Sequence, residues 1–159
     1  MKYGSPPAAM PSPPTKDWRV YAVGLSAGAG IIHWTVTPEH FAHWWGYGLF
    51  FLVAGAAQVA YAVWLASNEP SRRWLVVGLL GNGLIIVLYL ITRTVGIPFL
   101  GPSAGEIEPV GRVDVISKAT ELALMACLAL MLRARRAAVS EHASPCLGES
   151  TMSRTNKDE

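Results

Sequence analysis

Three histidines stand close together in the run Ile32-His33-Trp34-Thr35-Val36-Thr37-Pro38-Glu39-His40-Phe41-Ala42-His43. Imidazoles joined by a carboxylate are the donor set that zinc, copper or iron takes. Thr37, Pro38 and Glu39 read as a helix start: a hydroxyl cap, proline at the first position and an acid in the first turn. A helix beginning there carries His40 and His43 one turn apart on one face. A chain reversal at Thr37 then sets His33 opposite them, and the spacing predicts a metal site of His33, Glu39, His40 and His43. The competing reading is of amphipathic side chains resting at a membrane surface, because His-x-x-His also matches many helices that bind nothing.

A second group of ionisable residues opens the last apolar block. Asp114, Lys118 and Glu121 share one helix face, and Lys118 has Asp114 four residues before it and Glu121 three after it. An unpaired charge at mid-membrane costs about 2.5–3.5 kcal/mol on insertion scales, so Lys118 and Glu121 should point into the protein. Such residues mark ion paths or polar ligand sites, or else form a self-satisfied ladder that fixes helix register. Upstream lies a connection of about 20 residues, Thr92 to Arg112, far longer than compact domains ordinarily use. Val95, Ile97, Phe99 and Leu100 argue that it folds back over the protein as an ordered lid, with Gly and Pro fixing its bends. Arg93 is placed to hold Glu106 or Glu108. Gln58 and Asn82, deeper in two other apolar blocks, suit hydrogen bonding between helices and, secondarily, lining of a polar pocket.

The elements that must position these residues are four apolar blocks: Val20 to Val36, Tyr47 to Ala66, Trp74 to Ile91 and Val113 to Leu132. A helix needs roughly 20 apolar residues to cross the ~30 Å hydrocarbon core, or slightly fewer where flanking residues snorkel. With 159 residues, 52% hydrophobic and 15% charged, the composition fits one all-α domain. The predicted fold is an up-down-up-down bundle of four transmembrane helices over residues 18–136, with a long ordered outer loop between the third and fourth. Residues 1–17 and 137–159 read as disordered cytoplasmic tails. Lys2, Lys16, Arg19, Arg72, Arg73, Arg133, Arg135 and Arg136 lie on one side, against Arg93 and Arg112 on the other, with Lys118 just inside the fourth block. The positive-inside rule therefore puts both termini in the cytoplasm of a multi-pass cell-membrane protein. Trp18, Trp64 and Trp74 fall at the inner interface of this scheme, and Trp34, Trp44 and Trp45 at the outer. Gly24 and Gly28, and Ala119, Ala123 and Cys127, repeat at four-residue spacing and are expected at helix contacts.

Two stretches carry a resemblance: His40-Phe41 with Trp44-Trp45-Gly46-Tyr47-Gly48 and Gln58 beyond, and Tyr89 through Glu121. Over about residues 30–125 the chain resembles uncharacterised bacterial four-span membrane proteins. That resemblance implies the four-helix fold and a common setting for the outer-side residues, and implies no activity.

Composition narrows the function classes. A net charge of +2 is too small for a nucleic-acid partner, and two separate cysteines provide neither a disulfide framework nor a redox pair. The partners expected are the lipid bilayer and either a second copy or another membrane protein. The leading reading is an outward-facing pocket that takes a metal ion, zinc or copper, or a small polar ligand. The alternatives are a membrane redox or enzyme subunit and an accessory subunit of a larger complex. No nucleophile constellation supports hydrolysis. Haem requires histidines on facing helices inside the membrane, and only His33 approaches that depth.

Overall fold

A computed structural model describes residues 15–97 and 101–143 of the chain. Among the described residues the fold is all-α: α1 (Thr15–His43), α2 (Trp45–Ser67), α3 (Arg72–Thr94) and α4 (Arg112–Ala143), with no strand. Each contains a stretch long and apolar enough to cross a membrane. Their succession is compatible with an up-down order. The helices overrun the apolar blocks: α4 continues to Ala143, well beyond Leu132. Residues 1–14 and 144–159, which hold most of both tails, lie outside the described residues, as do Pro98, Phe99 and Leu100 of the long connection.

The first departure from expectation is at Thr37. The chain does not reverse there, and α1 passes straight through Pro38 to His43. Proline inside a helix forfeits its own N–H and ordinarily costs about 3 kcal/mol. The carbonyl it leaves without an amide is that of Trp34, four residues back, and the neighbouring threonine hydroxyls bond other carbonyls of the same turns. Here the Thr37 hydroxyl donates to the His33 carbonyl at 2.8 Å, and that of Thr35 to the Ile32 carbonyl at 2.7 Å. Thr37 is thus a buried back-bonding residue, not a cap. Reversal falls instead on Trp44, the single residue between α1 and α2, in extended conformation at φ −165° and ψ 137°. Its carbonyl accepts the amides of Tyr47 and Gly48. So tight a corner requires glycine: a Cβ at Gly46 would fall inside the Trp44 ring, and one at Gly48 inside the Phe41 ring.

α1 packs against α2 and α4, and α3 against α4. The closest approach of α1 and α2 is at Gly30 and Gly55, where an added Cβ on either would lie 2.8–2.9 Å from the other's carbonyl oxygen. Gly24 and Gly28, expected at a contact, face open space instead. On α4, Ala119 and Ala123 are exposed while Cys127 is buried. Trp34 packs along α2. Its ring lies across Gly55 and its indole donates to the Leu52 carbonyl at 3.2 Å. With α1 continuing past it for nine residues, Trp34 sits ~14 Å below the end of the helix.

The end of the bundle away from the long connection is conventional. Leu65, Leu75, Leu124 and Leu128 are fully buried there with Ala22 and Met131. Arg19 ties α1 to the close of α2: its guanidinium donates to the Leu65 and Ala66 carbonyls and pairs with Glu69 at 2.7 Å. Ser26 donates to the Gln58 carbonyl at 2.8 Å, a further link from α1 to α2.

A candidate polar site at the loop end of the bundle

Nine residues into α4, Glu121 is completely buried, and 88 residues away in sequence His33 of α1 is 2% exposed. The two meet, with His33 Nε2 3.0 Å from Glu121 Oε1. The other carboxylate oxygen receives the Lys118 ammonium at 2.6 Å, and the Ser117 hydroxyl lies 3.4 Å from the first. Burying a carboxylate is tolerable only with such partners. Glu121 Oε1 faces His33 Nε2 and is placed to accept its N–H. The imidazole lines a cavity.

One turn nearer the end of the bundle, Arg93 closes α3. Its guanidinium donates to Glu108 and, at 2.8 Å, to Asp114. Asp114 also accepts the Gly111 amide at 2.8 Å, so it fixes the entry into α4. Arg93 therefore takes Glu108 of its two expected partners, and Glu106 forms no ion pair among the described residues. Lys118 pairs with Glu121 and not with Asp114. Tyr89 lies between the two cations, its ring centroid 5.1 Å from the Arg93 guanidinium carbon and 5.2 Å from the Lys118 nitrogen. Both distances are within cation–π reach.

The described part of the long connection bends at Gly96, Gly101 and Gly105, all with φ between 75° and 81°, a region L side chains rarely enter. It is tied back by Glu108 N–H to the Thr92 carbonyl at 3.2 Å and Gly105 N–H to the Ile97 carbonyl at 3.0 Å. Ile97 lines the cavity beneath, while Val95 is 70% exposed.

The histidines do not converge. His33 is engaged with Glu121; His40 donates Nδ1–H to the Val36 carbonyl at 2.8 Å and packs at a tilt against Phe51, centroids 3.9 Å apart. His43 reaches Ser103 at 2.9 Å, and Glu39 is exposed. Among the described residues no three metal-ligating side chains form a group suited to an ion. The physical reason is the uninterrupted helix through Pro38. Without a reversal at Thr37, His33 and His43 stay ~15 Å apart along one axis.

What the residues do enclose is a cavity of about 150 Å³ within the loop end of all four helices. Tyr47, Phe51 and Tyr89 give it aromatic walls; Glu106, Glu108 and Asp114 face it together with Arg93 and Lys118. Gln58 and Asn82 are not in this cavity. They lie deeper, with the Gln58 amide donating to Asn82 Oδ1 at 3.1 Å and the Asn82 amide to the Gly78 carbonyl at 2.9 Å. This is the interhelical role expected of them. Tyr89, Phe51 and Ser103 went unrecognised as site residues from sequence. Only Tyr89 carried a signal, its position four residues before Arg93 on the same helix face.

No known protein family, curated protein or solved structure matches the chain, so its functional reading rests on these side chains.

Proposed function

We propose that this multi-pass membrane protein binds a small organic cation in the loop-end pocket. The observation that carries the reading is the balance of charge around an aromatic-walled cavity. Three carboxylates of the lining, those of Glu106, Glu108 and Asp114, stand against the two cations Arg93 and Lys118, and Lys118 is already paired with Glu121 behind the lining. Such a lining repels anions, while acids and aromatic faces together attract an ammonium or guanidinium group. His33, held by Glu121, contributes a buried imidazole to the lining. Glu106 supplies an unpaired carboxylate at the mouth.

The pocket faces the outside of the cell in this reading, with both termini cytoplasmic. Support comes from Arg72, Arg73, Arg133, Arg135 and Arg136 at the opposite end of the bundle.

The test is thermal unfolding of the detergent-purified protein with methylammonium and guanidinium, beside acetate and phosphate. A bound ligand stabilises by about 2.7 kcal/mol at a hundredfold excess over Kd. The cations should raise Tm saturably and the anions should not, and Glu106→Gln should weaken the cation effect without lowering the unliganded Tm. Equal shifts with anions, or none with cations, would refute the reading.

A further inference from the structure

A second and larger cavity, about 490 Å³, lies between α2 and α3. Small residues hollow it out: Ala54, Ala57 and Ala60 on α2 face Gly78 and Gly81 on α3. A Cβ added at Gly81 would meet nothing within 4 Å. The hydrogen-bonded carboxamides of Gln58 and Asn82 stand in its wall, 5% and 4% exposed. Away from the loop end it is bounded by Trp64 and Trp74, ring centroids 4.6 Å apart, and by Tyr61, whose hydroxyl donates to the Trp74 carbonyl. At the loop end its lining residue is Ile85, which also lines the polar pocket.

The two cavities thus adjoin at Ile85, one charged and aromatic, the other apolar. From Ile85 to Trp74 the helix rises ~16 Å, the length of an alkyl chain of about a dozen carbons. The volume is within the range of about 300–1,000 Å³ in which small ligands are held.

We propose that the ligand is a cationic amphiphile, its ammonium head among the acids of the loop-end pocket and its single apolar chain laid along the α2–α3 cleft. This rests on the cation-binding reading and names the class of cation. An ordinary phospholipid fits poorly, because the acidic pocket repels its phosphate. A second copy's helix fits poorly too, because an apolar helix in the cleft leaves the adjoining charged pocket without a partner. The cleft's length brings the tip of a dodecyl chain against Trp64 and Trp74.

The experiment uses the full chain in phosphatidylcholine nanodiscs and 12-bromododecylammonium, whose terminal bromine quenches tryptophan on contact. Quenching should saturate near one probe per protein and be lost in the Trp64→Phe/Trp74→Phe variant. The neutral 12-bromododecanol, at the same mole fraction in the membrane, should give only a non-saturating background. Gly81→Phe should fill the cleft and remove the saturable component; Ala57→Phe is the second such variant, and circular dichroism reports whether each folds. Saturable quenching by the alcohol equal to that by the amine would overturn the proposal. So would quenching that survives both filled-cleft variants, or Gly81→Cys chains that cross-link to each other, which would make a second copy the occupant. If methylammonium stabilises the protein but the brominated amine does not quench saturably, the amphiphile falls and the small cation stands. If methylammonium has no effect, both fall.

Discussion

The two halves of this bundle are held by different forces. Away from the long connection, α1, α2, α3 and α4 close on Leu65, Leu75, Leu124 and Leu128, all with no exposure and no polar atom beyond the backbone. Near the connection α1, α3 and α4 close on His33, Glu121, Lys118 and Arg93. In lipid, neither half gains much from removing apolar surface from water, so the apolar half rests on packing and the polar half on mutual satisfaction. Packing degrades gradually when an atom is lost. Mutual satisfaction fails abruptly, because removing one member strands the others. An apolar core would serve stability as well, so a buried ionic one in half of the bundle points to use.

The sharpest way to break the contrast is Glu121→Ala. It strands Lys118 and His33 without their carboxylate, and the expected loss is about 3–5 kcal/mol, measured by equilibrium unfolding in mixed micelles. Leu128→Ala probes the other half. It leaves a cavity but no orphaned charge, and the expected loss is about 2 kcal/mol, at the low end for such truncations because lipid offers no competing water. Ser26→Ala, which removes one hydroxyl bond between α1 and α2, should cost only about 0.6 kcal/mol by the same measurement. A loss for Leu128→Ala exceeding that for Glu121→Ala would reverse the assignment of forces.

Much of this arrangement was readable from residue order, for identifiable reasons. The four helices follow from uninterrupted apolar blocks, which have no other stable form in lipid. The inward aim of Lys118 and Glu121 follows from what an unpaired charge costs there. Their partner did not follow. His33 and Glu121 are 88 residues apart, and no local pattern links them. The local pattern that did exist, Thr37-Pro38-Glu39, pointed to a helix start that does not form. That one error ended the first helix near His33 and assembled a metal site from histidines that stay on one continuous helix. The glycines show a similar limit. Spacing identifies Gly24 and Gly28 as a small face, but which face of α1 meets α2 depends on rotation about the axis, and the contact formed at Gly30 and Gly55. The corner at Trp44 was likewise hidden, although Gly46 and Gly48 mark it once ring positions are known.

The central claim is that the polar half exists to bind and not to hold the fold, and one variant tests it directly. His33→Leu/Lys118→Met/Glu121→Leu replaces the buried ionic group by apolar side chains of similar volume. Its unfolding free energy and methylammonium affinity are measured beside those of the unaltered chain. Such replacements are commonly neutral or stabilising by about 1–4 kcal/mol, so stability should be kept or raised. Affinity should fall by about tenfold or more with the loss of the polar His33 wall and the Glu121 carboxylate behind it. Unfolding as severe as that of Glu121→Ala, or an unchanged affinity, would contradict the account.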